Sequence, residues 1–253
     1  MKRLIIYLIA LLPAFHLLSG CQKNIEASSG TVKITFRNTV NGSPLALNSQ
    51  IYSNPFNETY TVSKFRYYIT NVSLNGPGGV TLKENNSYHL VDEAVPTSLS
   101  FYFETTENSF SDLVFTLGVD SARNNSGAQT DALDPLNDMF WTWNSGYVMA
   151  KMEGNSPQST VVGNKIEYHI GGFTGANNVL KTINLSFPSG KLATIKKGQT
   201  SEIIVEADLN TWWQNPNDIK IAVNPVITSP GVLAKKVADN YSKMFTIKDV
   251  TNF

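Results

Sequence analysis

Alternation of apolar and polar side chains, with a period of two residues, is the feature that most constrains how this chain can fold. Val32, Ile34 and Phe36 alternate with polar residues, and a similar pattern runs from residue 64 to residue 70. Successive side chains of a β-strand point to opposite faces, so this alternation predicts strands that bury one face. The second pattern changes phase at Asn71 before it continues, and this shift predicts a β-bulge.

Shorter apolar segments, separated by Gly, Asn, Ser and Pro clusters, continue along the sequence. They occupy residues 88–91, 99–103, 113–119, 147–152, 161–170, 179–187 and 202–209. Many short strands predict an all-β fold, a single β-sandwich domain of Greek-key or jelly-roll type with long loops. We expect one or two short helices, a turn over 209–213 and an amphipathic helix over 233–245. No repeat or linker divides residues 31–253, which we expect to form one domain.

The N-terminus has the organisation of a bacterial lipoprotein signal peptide. A basic start precedes an apolar segment over residues 4–18, which is short for a membrane span. Residues 18–21 (LSGC) resemble a lipobox, in which Cys21 receives diacylglycerol and becomes the first mature residue. We therefore predict a signal peptide over residues 1–20, acyl chains such as palmitate on Cys21, and a polar tether over residues 21–30. Because Gln22 rather than Asp follows the cysteine, we expect the outer membrane, with the domain facing the periplasm or the surface.

Composition excludes several classes of function. The chain has 20 basic and 20 acidic side chains, whereas nucleic-acid-binding proteins normally have a basic excess. Its single cysteine cannot form an internal disulfide or a cysteine-rich metal site. The common sequence motifs of hydrolases, metalloproteases and nucleotide-binding enzymes are absent. We therefore expect a binding protein rather than an enzyme or a nucleic-acid partner.

A long polar loop and an aromatic segment form the most unusual part of the sequence. Residues 121–135 have no regular pattern, and loops of this length in compact domains are often functional. Trp141 and Trp143 follow, and on a strand they would share one face. Two such tryptophans suit a packed core, a sugar-stacking surface or the shield of a metal ion, and the sequence leaves these readings open.

Two histidines remain after removal of the predicted signal peptide. His169 lies at the end of an apolar segment and precedes Gly171 and Gly172, which allow close backbone approach. His89 lies in an earlier apolar segment. With no thiolate available in the folded part, a metal site would have to use imidazole, carboxylate, thioether or amide groups. Lone histidines are more often structural than metal ligands, so both roles stay open.

Three segments carry a family resemblance: residues 62–74 (VSKFRYYITNVSL), residues 117–120 with 134–147 (LGVD and DPLNDMFWTWNSGY), and residues 168–172 (YHIGG). Together they resemble the MbnP-like family, periplasmic or surface proteins related to methanobactin-associated copper-binding proteins, in its Bacteroidota branch. The resemblance implies a β-rich fold that holds copper through histidines and a tryptophan oxidised to kynurenine. It also implies a dihaem peroxidase-like partner that oxidises the tryptophan. In this sequence it points to His169 as a ligand and to Trp141 or Trp143 as the modified residue.

One position departs from the pattern of the copper-binding relatives. They carry a further histidine near the long loop or the aromatic segment, where this sequence has Arg123-Asn124-Asn125 and Thr142. His89 could supply a second imidazole only if the fold brings it close. The family resemblance nevertheless makes copper binding the leading hypothesis for function. The rival is a surface lipoprotein that binds a glycan, peptide or protein partner without metal.

Overall fold

The computed structural model describes residues 29–127, 129–142 and 146–253. The predicted signal peptide, Cys21 and Trp143 therefore lie outside the described residues. The first strand begins at Ser29, two residues before the predicted start of the domain. Across the described ranges, the helices are all too short or too polar to cross a bilayer.

The described residues form seventeen strands, two α-helices and seven 3₁₀ turns. The strands are β1 (Ser29–Val40), β2 (Ser43–Pro44), β3 (Tyr52–Ser53), β4 (Thr59–Asn75), β5 (Thr81–Lys83), β6 (Tyr88–Asp92), β7 (Ser100–Thr106), β8 (Asn108–Phe110), β9 (Asp112–Leu117), β10 (Phe140–Trp141), β11 (Gly146–Asn155), β12 (Lys165–Gly171), β13 (Lys181–Ser186), β14 (Ala193–Ile195), β15 (Thr200–Asp208), β16 (Val226–Ile227) and β17 (Phe245–Asn252). The helices are α1 (Ser121–Asn124) and α2 (Val232–Tyr241). The 3₁₀ turns span Pro77–Gly79, Pro96–Leu99, Asp131–Leu133, Pro135–Asn137, Val162–Asn164, Gly175–Asn177 and Leu209–Trp213.

Two sheets pack face to face, as the alternation predicts, and the all-β sandwich is confirmed. The first sheet has the order β17-β15-β1, with β7 on the other edge of β1, and β2 pairs with the last residues of β1. In this sheet β1 and β15 run parallel. The second sheet has the order β13-β9-β4-β11-β12-β16, and β3, β5 and β6 also pair with β4. Two smaller pairings, β10 with β11 and β8 with β14, complete the described strands.

Aromatic side chains fill the space between the sheets. Phe36 of β1 lies 6.0 Å from Tyr67 of β4 and 6.1 Å from Phe115 of β9, in edge-to-face geometry. Phe245 of β17 joins the same group, 5.6 Å from Tyr67. Rings of this size account for much of the apolar area removed from water, so this cluster is the main source of cohesion between the sheets.

The 209–213 turn and helix α2 cover the part of the second sheet that the first sheet does not reach. Trp212 packs 5.8 Å from Phe65, and Trp213 packs 4.9 Å from Tyr60, which also accepts its indole N–H at 3.1 Å. The predicted turn is therefore confirmed. The predicted helix ends earlier than expected, because Phe245 pairs with Ala207 in the first sheet and is no longer helical.

The bulge predicted in the longest strand is also confirmed. The pairing of β4 with β9 shifts register between Thr70 and Ser73, and Asn71 has a φ of 53°. Before the bulge Tyr67 and Ile69 are buried in the sandwich, and after it Leu74 is. The extra residue of the bulge keeps the apolar side chains on the core face, although they have odd numbers before the bulge and even numbers after it.

The long loop is more ordered than the sequence suggests. We expected residues 121–135 to lack regular structure, but they contain α1 and a 3₁₀ turn, and a second turn begins at Pro135. Asp120 caps α1 by accepting a hydrogen bond from the Arg123 backbone at 3.1 Å, and Asp134 accepts one from the Leu136 backbone at 2.8 Å. Aspartate is common at such N-cap positions because its carboxylate accepts hydrogen bonds from the backbone N–H groups that have no partner within the first turn of a helix.

Glu58 anchors an otherwise irregular segment and provides a test of the fold. Its buried carboxylate accepts hydrogen bonds from the backbone of Ile221 at 2.7 Å and Ala222 at 2.9 Å, and from the Asn54 side chain at 2.7 Å. Glu58→Ala would leave these donors unsatisfied, so we expect a loss of about 2–4 kcal/mol in the free energy of unfolding. Urea denaturation measures it. Glu104→Ala on the exposed side of β7 is the control, and an equal loss in both variants would contradict the assignment.

Candidate functional site

Strand β12 presents the candidate ligand on the face that points away from the sandwich core. Tyr168 and Ile170 are buried on the core side, so His169 and Gly171 lie on the opposite face. We call this side of the second sheet the polar face, and define it by Lys64 and Arg66 of β4, Lys151 and Glu153 of β11, and His169.

His169 lies within hydrogen-bond distance of Glu153 on the neighbouring strand. Its Nε2 lies 2.8 Å from Glu153 Oε1, and both side chains are about one-fifth exposed, at 18% and 22%. The hydrogen bond from His169 lowers the pKa of Glu153 to about 2; burial opposes this shift, and the charge of Lys64 supports it. The carboxylate is therefore ionised over the physiological range and is held against the imidazole.

Trp141 packs against the backbone of Gly171, two residues after His169. A β-carbon added at Gly171 would lie 2.5 Å from Cζ3 and 2.7 Å from Cη2 of Trp141, so the indole rests directly on the glycine backbone. Only glycine leaves this space. Since Gly171 follows His169 by two residues on one face, about 7 Å along the strand, the structure brings Trp141 and His169 together. Trp141 is 7% exposed. The expected pairing of Trp141 and Trp143 on one strand falls partly outside the described residues, and β10 ends at Trp141.

A network of charges fastens the segment before Trp141 to the polar face. Asp138 Oδ2 lies 2.8 Å from Lys64 Nζ and 3.0 Å from Lys151 Nζ, and Lys151 also donates to the Asp138 carbonyl. Arg66 donates to the Asn137 carbonyl at 2.9 Å. Burial alone would raise the pKa of Asp138, but the two lysines lower it to about 2.

The other sequence-predicted ligand lies elsewhere. His89 pairs with Ile69 on the core side of β4, and its ring stacks on Phe101 of the first sheet at 3.5 Å. Its Nε2 contacts Glu84 at 2.9 Å. From the strand register, His89 and His169 are separated by three inter-strand spacings and three residues along the strands, about 17 Å, and they lie on opposite faces of the sheet. The structure therefore does not let His89 replace the missing family histidine.

The donors around His169 suit an open metal site rather than a closed one. Within the parts of the chain that the structure describes, no three His, Cys, Asp or Glu side chains group together to hold a metal ion. Imidazole and carboxylate groups both suit copper(II), so His169 and Glu153 are the two neighbouring side chains that could hold such an ion. The nearby methionines do not extend this set: Met149 Sδ accepts the Val119 backbone N–H at 3.1 Å, and Met152 is in the core.

A separate polar cavity of about 260 Å³ lies between β6 and the long loop. Its lining consists of Asn86, Tyr88, Arg123, Gln129, Thr130, Asp131, Ala132 and Leu133. The Arg123 guanidinium lies over the Tyr88 ring, 5.1 Å from its centroid, and donates to Gln129 at 3.0 Å. The Tyr88 hydroxyl donates to Asp120 at 2.7 Å. Sequence reasoning did not identify this site, because the loop and the strand are brought together only by the tertiary fold.

Sequence reasoning also missed the role of Glu153, although a usable signal was present. Lys151 and Glu153 flank buried Met152 at alternate positions, which places both on one face of a strand. What the sequence does not contain is the register that places Glu153 within reach of His169.

The fold and this site define a β-sandwich protein with a histidine–carboxylate pair beside a buried tryptophan. The chain matches the MbnP family over residues 29–230 and belongs to that family, which is associated with copper. It is similar in fold to MbnP from Methylosinus trichosporium, with a TM-score of 0.50 over 81% of this chain and 82% of that chain, at 13% sequence identity. No curated protein sequence matches the chain.

The depressed pKa of Glu153 predicts a pH-dependent contribution to stability. A carboxylate whose pKa is lowered by folding stabilises the native state above its ordinary value and loses this contribution as the pH falls. We therefore expect the stability advantage of the native protein over Glu153→Gln to shrink as the pH falls from about 4.5 to about 2. Urea denaturation across this range measures it, with Glu104→Gln as the control. An advantage that is constant with pH would contradict the contact between Glu153 and His169.

Proposed function

We propose that the protein is a lipid-anchored member of the MbnP family in the cell envelope that binds one copper ion at His169. The contact between His169 and Glu153, on the same face as Trp141, is the observation that carries this proposal. It supplies a nitrogen and an oxygen donor at the position that the family resemblance assigns to copper. Bound copper would add redox chemistry next to Trp141.

The charges around this pair predict a weak, exchangeable site. Two protein ligands leave coordination positions for water or for a donor from another molecule. Lys64 lies 3.3 Å from the Glu153 carboxylate, so a copper ion must compete with its ammonium group. This arrangement suits a protein that passes copper on more than one that stores it.

Copper titration of the mature chain, followed by calorimetry and electron paramagnetic resonance, tests the site. We expect His169→Asn to weaken binding by about tenfold or more, because one of two donors is lost. Lys64→Met should strengthen binding, because Glu153 is released from its competing cation. His89→Asn is the matched control and should leave affinity unchanged. Equal effects of the two histidine substitutions would contradict the proposed site.

Oxidation of tryptophan is a second part of the copper proposal. Trp141 or Trp143 would be converted to kynurenine by a dihaem peroxidase-like partner in the native host, as the family resemblance implies. Mass spectrometry of protein from that host would detect the change in mass of the peptides that contain Trp141 and Trp143. Unmodified tryptophans, together with no copper binding at micromolar affinity, would overturn the copper proposal.

A second function is favoured by the polar cavity at the long loop: binding of a short glycan without metal. Its volume of about 260 Å³ is below the range of about 300–1,000 Å³ typical of drug-sized ligands, so it suits one or two sugar rings. Guanidinium, amide and carboxylate groups in the lining can hydrogen-bond adjacent hydroxyl groups.

Screening the mature chain against a glycan panel tests this second function. We expect Arg123→Ala to abolish binding of any glycan retained by the native protein, because it removes the cation of the cavity. Arg37→Ala, on the exposed side of the first sheet, is the control and should retain binding. Retention by Arg123→Ala would exclude the cavity as the glycan site.

A further inference from the structure

Several exposed side chains lie at the end of the sandwich where strand β1 begins. The carbonyl of Ser29, the first described residue, accepts the Gly198 N–H at 3.0 Å, and Thr31 donates to Gln199 at 2.9 Å. Lys196 and Lys197 belong to the same turn and are exposed. The turn between β14 and β15 therefore lies next to the start of β1.

Two exposed apolar side chains occupy this same end. Phe253 is 63% exposed, and its backbone is fixed by hydrogen bonds with Thr200 at 2.7 and 2.9 Å. Leu192 is 39% exposed, and its carbonyl accepts a hydrogen bond from the Asn252 side chain at 3.0 Å. Single exposed apolar side chains are common on protein surfaces, but here two of them lie close together at one end, on hydrogen-bonded backbone.

Among the described residues, this end carries two lysines without an ion-pair partner and one exposed carboxylate, Glu107. Lys191 is paired with Asp249 at 3.0 Å, whereas within the described chain Lys196 and Lys197 have no carboxylate within 4.0 Å of their ammonium groups. The nearby Glu107 carboxylate accepts the backbone N–H of Lys197 at 3.1 Å. Long basic side chains next to exposed apolar ones are suited to a bilayer surface, where the ammonium groups reach lipid phosphates.

We propose that this end, defined by Leu192, Lys196, Lys197 and Phe253, is a membrane-contact face that rests on the bilayer holding the lipid anchor. The inference depends on acylation of Cys21, which belongs to the proposed function. Ser29 follows Cys21 by eight Cα–Cα steps, so the tether spans at most about 28 Å. The opposite end, at Val40, lies about 36 Å further along β1. The tether thus favours contact through this end, and the acyl chains supply the second attachment that stable docking needs.

This orientation leaves the end of the sandwich that contains Val40 facing away from the membrane. Ile51, which is 66% exposed, lines the same surface groove as Val40 and belongs to the membrane-distal end. Ligands and partners would approach the anchored protein from that end and from the sides of the sandwich.

Site-directed fluorescence on the lipidated full chain tests the proposal. The acylated protein carries no other cysteine, so an introduced thiol is the single labelling site. Gln199→Cys labels the proposed face, and Gln50→Cys labels the distal end; both residues are exposed glutamines. In phosphatidylglycerol vesicles with a lipid-borne quencher, we expect several-fold stronger quenching and a blue shift at position 199 but not at position 50.

Variants then separate the contributions of the face. Leu192→Ala with Phe253→Ala should reduce the quenching at position 199 in all vesicles. Lys196→Gln with Lys197→Gln should reduce it more in phosphatidylglycerol than in phosphatidylcholine, because only phosphatidylglycerol has a net negative charge that attracts the lysines. Equal quenching at positions 199 and 50 in a chain whose Cys21 is acylated by mass spectrometry would overturn this inference alone. An unacylated Cys21 would overturn the lipid anchor and this inference together.

Discussion

Strand β4 is the constraint on which the rest of the structure depends. Its two edges pair with β11 and β9 on one side and with β6 and β5 on the other, so it organises the second sheet. Its core side carries Tyr67, which packs in the aromatic cluster between the sheets, and its other side carries Lys64 and Arg66. The bulge at Asn71, together with a register shift between Val62 and Lys64, preserves this division along the strand. A register slip of one residue would place charges in the core and aromatic rings in solvent.

The polar face follows from this division, and its charges define what the site can do. Asp138 and Glu153 are shared among two lysines and His169, which holds the loop before Trp141 against the sheet. Lys64, which helps to order the loop, also lies beside Glu153. Among the described residues, Glu153 is the only one whose carboxylate contacts His169. If His169 and Glu153 hold copper, as proposed, the ion has to compete with the Lys64 ammonium group, which also fastens the loop to the sheet.

Much of the fold could be predicted from sequence because its strands bury one face and its turns use the expected residues. The alternation at β1 and β4, the bulge and the 209–213 turn all follow from local rules. The parallel pairing of β1 with β15 and the early end of α2 do not, since both are fixed by residues distant in sequence. The caps that order the long loop use aspartates whose types were visible, but aspartates favour loops and caps alike.

By itself, the sequence determined the family and the β-sandwich class, because these depend on motifs and on the period of the strands. Trp141 and Gly171, on which its ring packs, both lie in segments that carry the family resemblance. Only the tertiary structure decided which groups surround His169. Register across three strands places Glu153 beside it and His89 on the opposite face about 17 Å away. Strand register is fixed by packing over the whole sheet, and no local pattern contains it.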